Sequence, residues 1–315
     1  MRIGAIDIGS NSIRLLVADF SISASPQPAS TIARAGEICR LGRGLHQGGA
    51  IAAELAGSAA RIVAEFQRRA LSLGAQHVIV GATAALRSAA NGAEVAQRIE
   101  RETGLTVRVL SGDDEARLVY RAVALGLGSP VVRSHCVVFD LGGGSTEIVS
   151  GVGAEPGRWV SLPLGAVGLT ERFLHSDPAA QAEVSGLVEH IAESLMHGCA
   201  SFPAKASVLA GVGGTVTVLA SLDRGIRAYD PLLLEGWSIS ADKVAALVGK
   251  LTEATHEQRR SWSIIGEGRA DIVVAGAIVV NQLMARFAAP ALTCSTQGLR
   301  YGLARLAAEE QTGKG

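Results

Sequence analysis

Two short segments of this chain place the same chemically useful residues in the same order. Residues 5–17 read AIDIGSNSIRLLV, and residues 138–149 read VFDLGGGSTEIV. In each, an apolar run reaches an aspartate, a glycine follows two positions later, a serine follows five positions later, and a second apolar run begins. The matching positions are Asp7, Gly9 and Ser12 in the first copy and Asp140, Gly142 and Ser145 in the second. Both copies are predicted to be two strands joined by a tight turn.

The composition of these turns suits them to binding anionic oxygens. Glycine and serine in a sharp turn allow successive backbone N–H groups to converge on one anion, and hydroxyl and amide side chains add further donors. A single hairpin of this kind is more often an ordinary turn capped by its aspartate. The duplication favours phosphate binding, because two facing copies could hold a phosphate chain from both sides. The candidate phosphate-binding residues are Gly9, Ser10, Asn11 and Ser12, and Gly142, Gly143, Gly144 and Ser145.

Three further elements could take part in the same chemistry. Asp7 and Asp140 lie where strand meets turn and are suited to hold Mg²⁺ or another divalent cation, directly or through water. Residues 211–215 read GVGGT between a predicted strand and helix, where backbone N–H groups attract an anion, although close helix–strand packing explains the glycines equally well. Arg87 begins a predicted helix after another strand and could pair with a phosphate, and Arg269 is a second candidate.

Glu115 is the candidate general base. It follows Ser111, a predicted N-cap, and two aspartates in the first turn of a helix, at the carboxyl edge of a predicted sheet. A carboxylate there could orient water for attack on phosphorus. From position alone, a third acid that stabilises the helix dipole is the better interpretation.

Composition and missing motifs exclude several classes of protein. The 29 basic residues balance 29 acidic ones, which argues against a polycation that coats nucleic acid or an anionic membrane. No GxxxxGK[ST] or GxGxxG motif occurs, which removes the P-loop and dinucleotide-binding classes. Four cysteines without a CxxC pair indicate a reduced, cytoplasmic protein without a zinc site. Cys294 and Arg300 have the spacing of thiol-dependent phosphatases, but a buried cysteine is the better interpretation.

The hairpins are each followed by a similar train of elements, which predicts two α/β lobes with mixed sheets. The boundary is expected at residues 126–134, where glycine, serine and proline cluster. The apolar stretch at 272–285 is too short to span a membrane and is predicted to be a buried helix. The predicted strands are 31–39, 77–82, 105–110, 157–162, 206–210 and 291–294, and the predicted helices are 50–73, 83–90, 93–103, 113–126, 178–200, one from 214, a helical insertion at 241–286, and 297–309.

Seven ordered motifs resemble the exopolyphosphatase/guanosine pentaphosphate phosphohydrolase family. They are AIDIGSNSIRLLV, ATAALRSAANG, SGDDEARLVY, VFDLGGGSTEIVSG, SLPLGAVGLTERF, AGVGGTVTVLA and GRADIVVAGA, and the resemblance runs from residue 1 to about residue 305. It implies two ribonuclease-H-like lobes of the actin-like ATPase superfamily around a cleft. The lobes would comprise residues 1–127 and 128–297, with a helix at 298–310 packing back on the first.

The resemblance also implies roles for individual residues. Glu115, directly before Ala-Arg-Leu, takes the position of the family's catalytic glutamate, which reverses the interpretation from position alone. The phosphate-binding roles extend to Arg87 and to the GGT element at Gly213, Gly214 and Thr215, and Glu147 joins Asp7 and Asp140 around the metal.

The implied activity is Mg²⁺-dependent removal of the terminal phosphate from inorganic polyphosphate, from guanosine pentaphosphate in the stringent response, or from both. Longer family members carry a further helical domain, so short polyphosphate or a nucleotide is expected to suit this chain better. The family analogy favours a homodimer, with no nucleic-acid or membrane partner. The alternatives are an actin-like kinase that uses ATP and a sensor that binds the polyanion without turnover.

Overall fold

The computed structural model describes residues 1–21, 28–43, 45, 49–128, 134–266 and 268–313. The described strands are β1 (Arg2–Ile8), β2 (Ser12–Phe20), β3 (Pro28–Ile38), β4 (His77–Ala82), β5 (Val107–Val109), β6 (His135–Leu141), β7 (Thr146–Val152), β8 (Glu155–Leu162), β9 (Val208–Val212), β10 (Ser238–Ser240) and β11 (Ala291–Cys294). The described helices are α1 (Ala53–Ser72), α2 (Ala84–Ser88), α3 (Gly92–Thr103), α4 (Gly112–Leu127), α5 (Ala166–Phe173), α6 (Gln181–Gly198), α7 (Gly214–Arg224), α8 (Pro231–Leu234), α9 (Ala241–Glu253), α10 (His256–Ser261), α11 (Val273–Arg286) and α12 (Leu299–Thr312).

The chain forms two compact units. The first comprises Met1–Val119 and Leu299–Gly315, and the second comprises Tyr120–Gly298. Of the boundary expected at residues 126–134, positions 129–133 lie outside the described residues.

The first unit is built on a five-stranded sheet with the order β3-β2-β1-β4-β5. Strands β1, β2 and β3 are antiparallel neighbours, whereas β4 and β5 run parallel to β1. The apolar face of α1 covers this sheet because Ile62, Val63 and Phe66 recur at helical spacing and are buried in the core. Helix α12 packs against β1, β2 and β4 of the same sheet.

The second unit repeats this plan with one extra strand. Its sheet has the order β10-β11-β9-β6-β7-β8, in which β6, β9 and β11 are parallel and β10 is an antiparallel edge strand. Three antiparallel strands followed by parallel ones, twice in one chain, form the ribonuclease-H-like arrangement. The structure thereby confirms the predicted α/β class with mixed sheets.

The register confirms the duplication residue by residue. Strand β6 corresponds to β1 shifted by 133 positions, which is the offset of the two sequence motifs. Asp7 pairs across the hairpin with Arg14, and Asp140 pairs with Glu147 at the equivalent position. The two hairpins therefore share one geometry but differ in the charge opposite the aspartate.

Two local expectations about helices are also met. The N–H of Asp114 donates to Ser111 Oγ at 3.1 Å, so Ser111 caps α4 as predicted. Helix α11 has 14 residues and contributes ten of them to the buried core. Within the described part of the chain, we find no helix with both the length and the apolar character needed to cross a bilayer.

Candidate active site

The first turn is closed by its own backbone and held by the segment after β3. The N–H of Gly9 donates to the carbonyl of Ser12 at 3.1 Å. The Ser10 carbonyl accepts from Gly42 N–H at 2.7 Å, and the Asn11 carbonyl accepts from two further N–H groups at 3.0 and 2.9 Å. Ser10 and Ser12 are buried. Because the carbonyls of the turn are directed to residues 39–42, the turn has a fixed shape.

The second turn repeats this closure. The N–H of Gly142 donates to the Ser145 carbonyl at 3.0 Å, and a Cβ on Gly142 would stand 3.1 Å from that carbonyl, as it would at Gly9 from Ser12. Here the supporting element is α5. The Ala166 N–H donates to the Gly142 carbonyl at 3.0 Å, and the Val167 N–H donates to the Gly143 carbonyl at 2.9 Å.

The second turn and α5 approach so closely that only glycine fits at Gly165. A Cβ there would overlap the backbone of Gly143 and Gly144. Thr146, fully buried at the start of β7, donates its hydroxyl to the Leu164 carbonyl at 2.8 Å. The residues before α5 are therefore held against the second turn by the packing of Gly165 and by the hydrogen bond from Thr146.

The remaining predicted site residues of the first unit lie at the carboxyl ends of parallel strands. Arg87 and Glu115 follow β4 and β5, and Arg87 Nη1 lies 2.8 Å from Glu115 Oε2. The same nitrogen donates to the Leu110 carbonyl at 2.9 Å. Glu115 is 5% exposed, so this ion pair offsets the cost of burying its carboxylate. Arg87 thus fixes the candidate base, a contact that the sequence did not predict.

Arginines surround Asp7 at the start of the first turn. Burial raises the pKa of the Asp7 carboxyl above its usual range, while the charges of Arg14 and Arg300 oppose this shift. Arg14 also donates from Nε to Ser12 Oγ at 3.1 Å, which ties the turn to its own second strand. The carboxylate of the first hairpin is therefore balanced by cations of this chain.

In the second unit Asp140 lies between two glycines. A Cβ on Gly213 would stand 3.5 Å from Asp140 Oδ1, and one on Gly298 would stand 4.0 Å from Oδ2. Gly213 has a φ of 112° and a Cβ there would meet the Leu141 carbonyl at 2.5 Å, so glycine is required. Opposite Asp140, Glu147 is 2% exposed and accepts the Ser161 hydroxyl on Oε1 at 2.7 Å.

The GGT element forms the beginning of α7, which starts at Gly214. A Cβ on Gly214 would meet Arg269 Nε at 2.6 Å, so this arginine lies directly against the helix N-terminus. Thr215 is buried against Gly276 of α11. Gly213 and Gly214 are thus required for close packing, Thr215 is also packed, and anion binding at this N-terminus stays a prediction.

The alternative thiol site has the wrong chemistry for a nucleophile. Cys294 is fully buried at the end of β11, and burial raises the pKa of its thiol to about 12, with the Glu235 charge adding to the shift. A nucleophilic cysteine needs a lowered pKa. Cys294 is therefore a core residue, as the sequence favoured.

A divalent cation fits the second hairpin by the chemistry of its donors. Asp140 and Glu147 are directly opposite in the register of β6 and β7, so the hairpin brings two carboxylates together on one face of the sheet. In the described residues no group of three or more His, Cys, Asp or Glu is placed to hold a metal. Mg²⁺ keeps water and substrate oxygens among its ligands and needs only one or two carboxylates, so Asp140 and Glu147 are the residues that would hold it.

Two positions in the site were not predicted from the sequence. Arg14 aligns with Glu147 in the repeat, so the alignment of the hairpins could have identified it as a charged residue facing Asp7. Ser161 lies on β8 and orients Glu147 across the strand pair. Nothing in its sequence surroundings distinguishes Ser161 from any other strand serine.

Comparison with known proteins identifies the family of this chain. The sequence pattern of the Ppx/GppA phosphatase family matches residues 21–308. The chain belongs to the Ppx/GppA phosphatase family. It is therefore an enzyme of the phosphatase class, and the resemblance carried by the seven motifs is confirmed.

Individual relatives agree with the family match. Exopolyphosphatase 2 of Mycobacterium tuberculosis is 33% identical over 289 residues, which cover 90% of this chain and 89% of that protein. Exopolyphosphatase 1 of the same species is 30% identical, with coverage of 96% and 87%. The crystal structure of the Aquifex aeolicus Ppx/GppA member superposes with a TM-score of 0.82 at 30% identity, covering 100% of this chain and 98% of that one.

Proposed function

We propose that the protein is an exopolyphosphatase that hydrolyses the terminal phosphoanhydride bond of inorganic polyphosphate. The observation that carries the proposal is the buried carboxylate of Glu115, paired at 2.8 Å with Arg87 at the same sheet edge as the first phosphate-type turn. The Mycobacterium tuberculosis relatives named exopolyphosphatases support this substrate.

Phosphate oxygens are bound in this proposal mainly by backbone N–H groups of the first turn, which lies in the same unit as Glu115, and the second turn offers donors of the same kind within its own unit. The turns carry little net charge and their carbonyls are occupied by neighbouring segments, so their shape is set before substrate arrives. Arg87 adds a cation beside Glu115, and Arg269 adds one at the N-terminus of α7. A homodimer remains an expectation from the family.

Hydrolysis proceeds in this proposal by direct attack of water. Glu115 orients one water molecule and accepts its proton while the water oxygen forms a bond to the terminal phosphorus. The bond from that phosphorus to the bridging oxygen breaks, and the chain leaves one phosphate shorter. Phosphoryl transfer has a loose transition state in which orientation matters more than basicity, and the contact with Arg87 supplies that orientation.

The divalent cation of this proposal, Mg²⁺ in the first instance, is held by Asp140 and Glu147. When bound, it would supply positive charge to the non-bridging phosphate oxygens. We place it there because two carboxylates are directly opposite at this hairpin, whereas the residue opposite Asp7 is the cation Arg14. Ser161 keeps Glu147 in a fixed orientation.

Substitution of Glu115 by glutamine tests the assignment of the base. Glu115→Gln preserves the shape and the contact with Arg87 but cannot accept a proton, so phosphate release should fall by about 10²–10⁴-fold. Binding of polyphosphate, measured by filter retention, should survive. The matched control is Asp113→Asn in the same first turn, which breaks only an exposed ion pair with Arg117 and should leave the rate close to that of the wild type.

Other outcomes of this experiment identify the alternatives. Wild-type turnover by Glu115→Gln would remove Glu115 as the base. Tight binding with no phosphate release by the wild type would indicate a sensor, and transfer of phosphate from ATP to a small molecule would indicate a kinase.

Guanosine pentaphosphate is the second candidate substrate, since the seven motifs resemble a family that includes guanosine pentaphosphate phosphohydrolases. Its terminal phosphate has the same anhydride chemistry, so Glu115 and the turns would serve it unchanged. The ratio of kcat/KM for guanosine pentaphosphate and for polyphosphates of several lengths decides between them.

A further inference from the structure

We infer that Glu235 is a positioning residue for the cation site at Asp140, and this inference rests on the proposed function. Glu235 ends the short helix α8 and is remote in sequence from every motif considered above. Its carboxylate accepts three hydrogen bonds from the segment that follows β11. The donors are the Ser295 hydroxyl at 2.8 Å, the Thr296 N–H at 2.6 Å and the Thr296 hydroxyl at 2.7 Å.

These bonds hold the first two residues of the segment that follows β11. Hydrogen bonds to a charged acceptor are short and about twice as strong as neutral ones. Ser295 is fully buried and donates its N–H to the Gly211 carbonyl at 2.9 Å, and the Gln297 N–H donates to Ser295 Oγ at 3.2 Å. Both Thr296 donors go to Glu235. The Glu235 carboxylate therefore accepts the hydrogen bonds of both the N–H and the hydroxyl of Thr296.

The fastened segment forms one wall around the Asp140 carboxylate. It lies at the carboxyl end of β11, next to β9 and then β6, which ends beside Asp140. Gly298 packs against Val212, with its Cβ position 3.6 Å from the valine side chain and 4.0 Å from Asp140 Oδ2. Since Gly213 lies on the other side, displacement of Gly298 would change the packing next to the carboxylate that is opposite Glu147.

Glu235 is therefore expected to affect the affinity for the cation and not the proton transfer. Partners that orient a metal-binding side chain from outside typically contribute about 10–100-fold to metal affinity. Glu235 acts through one further contact, so we expect the lower end of that range. The chemical step depends on Glu115 and should change little once the cation is saturating.

The direct test measures Mn²⁺ binding to the whole protein by electron paramagnetic resonance, without substrate. Glu235→Ala should weaken Mn²⁺ binding about 10-fold, and Thr296→Val, which removes only the hydroxyl, should weaken it less. The control is Asp223→Ala in the same unit. Asp223 is a similarly buried carboxylate, but it holds Lys243 and the Trp237 indole instead of the segment, so its loss should leave Mn²⁺ affinity unchanged.

Kinetic measurements and melting temperatures distinguish a positioning role of Glu235 from a general loss of stability. At saturating Mg²⁺, kcat of Glu235→Ala should return to within about threefold of the wild-type value, while the Mg²⁺ concentration at half-maximal rate rises about 10-fold. Unchanged Mn²⁺ affinity in Glu235→Ala, or equal weakening in Asp223→Ala, would overturn the inference. If Glu235→Ala does not fold, unchanged affinity in Thr296→Val overturns it.

Failure of the proposed function gives a different pattern. A wild-type protein that binds no Mn²⁺ would remove the cation from Asp140 and, with it, this inference. A wild-type protein that binds Mn²⁺ but releases no phosphate would contradict only the hydrolase proposal.

Discussion

Arg87 and Glu115 show how one contact can serve stability and chemistry together. They lie 28 positions apart in sequence and meet because β4 and β5 are parallel neighbours that end at the same edge. The arginine nitrogen that contacts Glu115 also holds the Leu110 carbonyl, so its position is set by the backbone. Because Glu115 is almost completely buried, this contact contributes both to its orientation and to compensation of its charge.

Removal of the arginine should therefore affect both properties. Arg87→Gln removes the cation that lies 2.8 Å from the buried Glu115 carboxylate, which should lower the free energy of unfolding by about 3 kcal/mol. The displaced base should also reduce kcat by about 10²-fold. Urea unfolding and steady-state phosphate release measure the two effects. Arg117→Gln, which loses an exposed pair with Asp113, is the control, and an equal effect there would contradict a special role for Arg87.

The residues of the site could be predicted from the sequence to the extent that they lie in local patterns. The turns, the GGT element and Glu115 each belong to a short motif whose geometry follows from neighbouring residues. Ser161 and Glu235 could not be predicted in this way. Each acts across a strand pair or a sheet edge, on a partner 14 or about 60 positions away, and local spacing carries no signal for such contacts.

Among the elements, α5 depends most on tertiary contacts. It was not among the predicted helices, because its eight residues include Gly168 and Thr170 and lack a polar N-cap. Its first N–H groups are instead satisfied by carbonyls of the second turn. The three-residue strand β10 was missed for a related reason, since its pairing with β11 is visible only in three dimensions. In contrast, β4 and β11 begin and end at the predicted residues. Each is a largely apolar run that is flanked by turn residues.

The dependence of the second turn on α5 gives a test with a matched pair of glycines. Gly165→Ala inserts a methyl group into the backbone of residues 143 and 144, so it should displace the turn and lower phosphate release by about 10²-fold. Gly168→Ala, three residues later on α5, meets nothing within 4 Å. It should keep full activity and gain about 0.5–1 kcal/mol of stability from better helix propensity. Equal activities of the two variants would refute the coupling.

Across the whole molecule, buried thiols make stability sensitive to alkali. Burial raises the pKa of Cys39, Cys136 and Cys199 to about 11 and that of Cys294 to about 12, from an ordinary 9.0. In the unfolded chain these thiols ionise first, so the unfolded state binds fewer protons than the folded state above pH 9. The stability that depends on the protonated thiols is therefore fully present below pH 9 and is lost as the pH rises toward 12.

Cys294→Ser should reduce this loss. The substitution removes the most strongly shifted thiol among these, which alone accounts for about 1–2 kcal/mol of the stability lost between pH 8 and pH 10.5. Urea unfolding at both pH values should show a correspondingly smaller decline in the variant, even if its stability at pH 8 is lower. Phosphate release at neutral pH should be unchanged. A decline equal to that of the wild type would show that Cys294 does not carry the effect.

The position of α12 in the first unit affects how the protein folds during synthesis. Leu303 packs onto Gly81 of β4, and Glu310 forms a two-pronged ion pair with Arg108, 202 positions earlier. A nascent chain can form the β1–β2 hairpin early, but the sheet keeps an uncovered apolar face until Leu299–Thr312 leaves the ribosome. The second unit, whose core lies within Tyr120–Gly298, needs no later segment. The N-terminal unit is therefore the last to be completed, and it is the one that a chaperone would have to protect.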